Sequence, residues 1–181
     1  MGLADVFPGT YLPRADGANI GIDYAHWRVH AGYSWTATHK VTHGTTTHAS
    51  VLFTTPAAGE YHMVVEVESD KGGSWVFTEA PPVSTTATGS TEITGLNDNR
   101  GSTNTDPLTI VHTPTLGATS GTVIAQHLNG SAGSHPASVT GGGAIARGER
   151  ALAASTRYVV DFTAANATTT TIINMYYYKE A

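Results

Sequence analysis

Histidine is the residue type with which this chain is best equipped to do chemistry. There are nine histidines in 181 residues and no cysteine. His26 and His30 form one group, and His39, His43 and His48 another. On a helix, the spacing His39-x3-His43 would put two imidazoles on one face, as helical zinc sites do. The surrounding segment is threonine-rich, contains Gly44 and falls between two strand-like runs. In an extended chain these side chains would not converge on one ion, and no glutamate follows His39 to make a His-Glu-x-x-His motif. The expectation is a set of exposed loop histidines, with no bound metal and no cofactor.

The other chemical signals are weaker. Asn97-Asp98-Asn99 offers oxygen ligands for calcium, but the EF-hand spacing is absent and Arg100 would repel a cation. A turn held by Asn and Asp side chains is the simpler reading. No Gly-x-Ser-x-Gly nucleophile elbow occurs, and Gly141-Gly142-Gly143 lacks the Lys-Ser/Thr of a phosphate loop. Glu66 and Glu68 share one side of a strand, which reads as a solvated face. A glycosidase needs two carboxyls held across a cleft. Asn129-Gly130-Ser131 and Asn166-Ala167-Thr168 match the glycosylation pattern, which carries no weight without secretion. No catalytic constellation emerges, so a non-enzyme is expected.

Composition points the same way. Charged residues make up 13% of the chain, with 9 basic against 14 acidic and a net charge of −5. That share is about half the usual value. Lysine occurs only at Lys40, Lys71 and Lys179. A mildly acidic chain without a basic cluster is poorly suited to duplex DNA or anionic lipid, so neither nucleic acid nor membrane is an expected partner. No run approaches the ~18 apolar residues of a membrane span, and Met1 to Asp5 lack the basic and apolar regions of a signal peptide. An origin in the cytoplasm of the producing cell is the expectation. Abundant threonine, glycine and alanine with little charge suit a surface that neighbours will cover.

The elements that must position these residues read as strands. Trp27 to Ala37 alternates Trp27, Val29, Ala31, Tyr33 and Trp35 with polar or small residues, which predicts a strand with one buried face. Tyr61, Met63, Val65 and Val67 alternate with Glu60, His62, Glu66 and Glu68 in the same way. Further strands are expected at 51–54, 74–78, 91–94, 108–112, 122–128, 157–163 and 170–178, with turn chemistry at 56–59 and 70–73. The best helical candidate is short, Gly148 to Ser155. Trp35, Tyr61, Met63, Val65, Phe162 and Ile172 are expected in the core. The fold class is all-β, a β-sandwich or jelly-roll-like domain over residues 26–181. Residues 1–25, with Pro8, Gly9, Pro13, Gly17 and Gly21, form an extended N-terminal arm. Val6, Phe7, Tyr11 and Leu12 are its candidate interaction residues, since no local element would bury them.

Three stretches, taken together, resemble a family of small head decoration proteins of tailed bacteriophages. The first is Asp23 to Tyr33, ending in His30-Ala31-Gly32-Tyr33. The second is Leu96-Asn97-Asp98-Asn99-Arg100-Gly101-Ser102, followed by Val111-His112-Thr113-Pro114-Thr115. The third comprises Arg147-Gly148-Glu149-Arg150, Ser155-Thr156-Arg157-Tyr158 and the tail Ile172 to Glu180. The arm before Asp23 and the Thr/His loop at 42–48 depart from the family pattern. The resemblance implies a structural virion protein without catalytic residues. It would bind the major capsid protein on the outer surface of the head, as a homotrimer, and cross-link neighbouring capsomers. An alternative is a carbohydrate- or receptor-binding β-sandwich of a head fibre or tail fibre. Trp27, Trp35, Trp75 and Tyr176-Tyr177-Tyr178 are its candidate stacking platforms, although the strand period assigns Trp27 and Trp35 to the core.

Overall fold

The computed structural model describes residues 11–13, 19–21, 24–44, 48–81, 85–87, 90–117, 121–129 and 148–180. Within the N-terminal segment, β1 (Tyr11–Pro13) pairs antiparallel with β2 (Asn19–Gly21) as a separate two-stranded sheet. A helix α1 (Tyr24–Ala31) follows. Then come β3 (Ser34–Thr42), β4 (His48–Thr54), β5 (Tyr61–Ser69), β6 (Gly73–Glu79), β7 (Thr91–Ile93), β8 (Leu96–Asn97), β9 (Thr109–His112), β10 (Thr122–Asn129), β11 (Arg150–Leu152), β12 (Arg157–Ala164) and β13 (Thr170–Lys179). They build two antiparallel sheets, ordered β10-β6-β12-β4-β9-β7 and β11-β5-β13-β3-β8. The all-β sandwich expected from the period of two is the fold observed.

The chain crosses repeatedly between the sheets, from β3 to β4, from β5 to β6 and from β12 to β13. The turn sequences at 56–59 and 70–73 therefore carry the chain from one layer to the other and do not close hairpins. The late strands enter the middle. β13 lies between β3 and β5, with Tyr177 opposite both Trp35 and Met63, and β12 lies between β4 and β6. The first and last long strands thus lie side by side in the five-stranded sheet.

The core forms where the inner faces meet. Trp35, Ala37, Val51, Phe53, Tyr61, Met63, Phe77, Tyr158, Val160, Phe162, Ile173, Met175 and Tyr177 are all buried there, with Val65 packed partly buried against them. The aromatic rings meet face to face or tilted. Trp35 stacks on Tyr177 with centroids 6.0 Å apart, and Phe53 on Tyr158 at 5.2 Å. Tyr177 carries its hydroxyl inward and donates it to Asp106 at 2.8 Å, so burial of the phenol leaves no orphaned polar atom.

Three local expectations are corrected. Residues 27–31 belong to α1, and the strand begins only at Ser34. The alternation of Trp27, Val29 and Ala31 is real, but Gly32 ends a helix there. Tyr33 N donates to Arg28 O at 2.9 Å and Gly32 N to Val29 O at 3.0 Å, a Schellman closure that needs the left-handed φ of +74° at Gly32. The segment 148–155 is not helical. It supplies the edge strand β11, and the turn after it is anchored on Thr55, whose hydroxyl donates to Ala153 O at 2.7 Å. On β13 the inner residue is Ile173, fully buried, while Ile172 lies half-buried on the outer face. Both are isoleucines in an unbroken Thr-Thr-Ile-Ile run, so period alone does not choose between them.

Ile173→Ala should therefore destabilise the domain by about 2–5 kcal/mol, the cost of a cavity in a packed core, and Ile172→Ala by well under half of that. Urea denaturation of the two variants checks which isoleucine faces inward, and equal losses would contradict the inner position of Ile173.

Candidate functional site

At one end of the five-stranded sheet, helix α1 and the turn 97–104 come together. Helix α1 packs on β3 and β13, and the Asn-rich turn 97–104 clasps its C-terminus. Asn97 Nδ2 and Asn104 Nδ2 each donate to Gly32 O at 2.9 Å, and Asn99 Nδ2 donates to His30 O at 2.9 Å. These side chains satisfy carbonyls that the helix end leaves open. The turn is itself held as expected for Asn, with Asn99 N donating to Asn97 Oδ1 and Gly101 N to Asn99 Oδ1. Asp98 accepts the hydroxyls of Ser34 at 2.5 Å and Thr36 at 2.7 Å. A Cβ at residue 32 would collide with the Ser102 side chain, so the clasp needs glycine for space as well as for φ.

A cleft of about 250 Å³ opens beside the helix, lined by Trp27, Arg28, Tyr33, Lys179 and Glu180. Arg28 is buried, its guanidinium carbon 4.8 Å from the Trp27 ring centre and 5.8 Å from that of Tyr33. The aromatic walls are thus held by cation–π contact. Glu180 links this cleft to a second group on the outer face. There His62 on β5 stacks on Tyr178 of β13, with centroids 5.0 Å apart and planes 8° apart. His62 Nδ1 lies 2.7 Å from Glu149 Oε1, and Tyr178 donates its hydroxyl to the same oxygen. His62 Nε2 lies 3.9 Å from Glu180 Oε2, and Glu180 N donates to Glu60 O at 2.7 Å. Glu60, His62 and Glu180 each bring one potential ligand atom within 4.8 Å of the others.

Of the histidines expected in an exposed loop, His48 is exposed, as His26 and His30 are on α1, but His39 and His43, at the opposite end of β3, are buried. His39 is 9% exposed on the inward face of β3, and His43 is buried just beyond it. The exposed reading fails because the strand runs on through Thr42 and keeps its phase to His39. The His39 ring stacks on His112 of β9, with centroids 4.4 Å and planes 17° apart, while His43 Nε2 meets Thr171 Oγ1 at 3.0 Å. Stacked rings aim their nitrogens along parallel planes, not at a common point, so this cluster is a packing arrangement between sheets.

Of the other residues named from sequence, Val6 and Phe7 lie outside the described residues. Tyr11 and Leu12 fall in β1, opposite Gly21 and Ile20. Trp35, Trp75 and Tyr177 are buried, Tyr176 is exposed on the outer face and Trp27 is moved from the expected core to the cleft. Glu66 and Glu68 sit beside Tyr176, whose phenol is pushed up by burial and by these two carboxylates. The His62 group escaped sequence reading because its members come from 60, 62, 149 and 180, a set no spacing rule joins. The only signal was the outward phase of Glu60 and His62. Comparison with protein-family models, curated proteins and solved structures finds no match.

Burial, with His112 and His43 nearby, lowers His39 from the usual 6.5 to about 4. The unfolded chain then takes up a proton near pH 6.5 that the folded chain refuses until about pH 4. The contribution of this site to stability is complete above pH 6.5 and falls by roughly 3 kcal/mol as pH drops to 4. His39→Phe should keep the stack on His112 and flatten this part of the urea-midpoint profile between pH 6.5 and 4. An unchanged profile would contradict the assignment.

Proposed function

We propose that this chain is a structural virion protein that binds the outer surface of a tailed-phage capsid and cross-links neighbouring capsomers. The single observation that best supports the reading is the edge strand β10. Among the described residues it pairs only with β6. Its eight residues, Thr-Val-Ile-Ala-Gln-His-Leu-Asn, include no Lys, Arg, Asp, Glu or Pro. Val123 is 52% exposed and Leu128 82%. Proteins that must stay monomeric blunt such edges with charge, proline or very short strands. The other sheet edges, β7, β8 and β11, are only two or three residues long. A bulge between Val123 and Ala125 twists one half of β10, and the register from Ala125 to Asn129 is regular.

An unguarded edge of this kind is an acceptor for strand addition, in which main-chain hydrogen bonds supply affinity and alternate side chains supply selectivity. A neighbour's N-terminal segment, with the apolar residues Val6, Phe7, Tyr11 and Leu12, would be a chemically suitable donor once β1 leaves its pairing with β2. Each such contact is weak, and repetition over a symmetric shell makes the sum strong. The resemblance adds the homotrimer and the major capsid protein as partner.

A second reading, a carbohydrate- or receptor-binding module of a phage fibre, draws on the cleft. Trp27 and Tyr33 flank it, and Arg28, Lys179 and Glu180 offer polar groups. Apolar and aromatic walls with a few convergent polar groups are the usual form of a small-molecule site.

Purified full-length protein, a variant lacking residues 1–22 and the double variant Val123→Lys/Leu128→Lys should be mixed with undecorated heads and copies bound per head counted. Full-length protein should saturate a fixed number of sites. Both variants should melt like the parent and occupy at least tenfold fewer sites at the same concentration. Failure of full-length protein to bind would overturn the capsid reading, and Trp27-dependent binding to glycans instead would establish the second.

A further inference from the structure

The geometry points to a divalent transition-metal site, of the zinc class, made by Glu60, His62 and Glu180, with Glu149 as the positioning residue behind the imidazole. This departs from the expectation of a metal-free chain and does not depend on the capsid reading. The argument begins with the His62 tautomer. An ionised carboxylate accepts and cannot donate, so the 2.7 Å contact with Glu149 places a hydrogen on Nδ1. In the neutral ring Nε2 then carries the lone pair. That atom is buried and has no hydrogen-bond partner among the described residues. It faces Glu180 Oε2 at 3.9 Å, with a Glu60 carboxylate oxygen within 4.8 Å. A lone pair this close to two carboxylates is stabilised by a positive charge between them, supplied either by a proton on Nε2 or by a metal ion, and the buried nitrogen with two further oxygen donors offers the ligand set for the ion.

The surroundings are those of a metal-binding histidine. Carboxylate–histidine–metal triads fix the tautomer and ring orientation through the nitrogen that does not bind the ion. Here Tyr178 adds a second constraint, stacking on the ring and donating to the same Glu149 oxygen. The donor set is one imidazole nitrogen and two carboxylate oxygens, three protein ligands of the N and O types zinc accepts, which would leave a fourth position for water. Imidazole disfavours calcium and magnesium, which prefer oxygen ligands alone. Bond lengths of about 2.0–2.2 Å would require the carboxylates to close by roughly an ångström. Glu60 is exposed and Glu180 only half-buried, so both have room to do so. The ion would join the β4–β5 connection, β5 and the end of β13, pinning the C-terminal segment beside the cleft.

The molecule supplies a competing site that makes the test sharp. His26 and His30 are exposed on α1 at i and i+4, with Nε2 atoms 2.9 Å apart, so this pair too could take up zinc. Tag-free full-length protein should be titrated with zinc chloride alone, with magnesium chloride as control, by calorimetry and by thermal melting. The expectation is one zinc bound through the His62 group, a rise in melting temperature reversed by chelator and no response to magnesium. His62→Gln and Glu180→Gln should each abolish that rise, and the second keeps the backbone hydrogen bond from Glu180 N to Glu60 O. Glu149→Gln should weaken zinc binding by tenfold or more while leaving the stoichiometry unchanged. His26→Gln/His30→Gln should leave the rise intact. No zinc binding, or binding lost in the His26/His30 variant and kept in His62→Gln and Glu180→Gln, would overturn the proposal.

Discussion

The insertion of β12 and β13 into the centres of the two sheets is the constraint on which the rest of this structure depends. Before those strands arrive, β3 and β5 have no common neighbour, and neither have β4 and β6. The inner faces of β12 and β13 carry Tyr158, Val160, Phe162, Ile173, Met175 and Tyr177, a large part of the buried core. Loop closure over more than a hundred residues must precede that burial, as in Tyr177 opposite Trp35. Such topologies fold slowly because the entropy of closure is lost before the contacts are gained.

The same insertion builds the candidate site. The last residues of β13 run out between α1 and the start of β5, so Lys179 N meets Tyr33 O and Glu180 N meets Glu60 O. Tyr178 stacks on His62 because the register sets the two opposite each other on the outer face. One residue further in, Tyr177 points to the core and is anchored on Asp106. The strand thus serves the core and the surface group with alternate residues. A register slip by one would dismantle both.

Two kinds of surface remain. The end of the five-stranded sheet is polar, aromatic and braced by the Asn97–Asn104 clasp, so it presents a preorganised site. The β10 edge is uncharged and apolar at Val123 and Leu128, and has the chemistry of an assembly contact. They lie on different sheets, so the assembly contact and the ion site we propose would not overlap.

Most of the longer strands, the all-β class and most of the core were legible in the sequence, because the period of two is a local property and β-branched and aromatic residues announce it. Trp35, Tyr61, Met63 and Phe162 are inside for that reason. Ile172 and Ile173 were not separable, since both are apolar and only the partner strands decide which face is inner. The Trp27 to Tyr33 segment misled for a related reason: an alternating pattern is compatible with a short helix when a Schellman closure at Gly32 and three asparagines from residues 97–104 stabilise its end. His39 read as exposed because its polarity was visible and its stacking partner, His112 on the opposite sheet, was not. The His62 group was invisible as a group, because Glu60, His62, Glu149 and Glu180 meet only after β11 and β13 have paired with β5. Periodicity determined which residues share a strand face, and only the order of strands in the sheets decided which faces, and therefore which chemistries, meet.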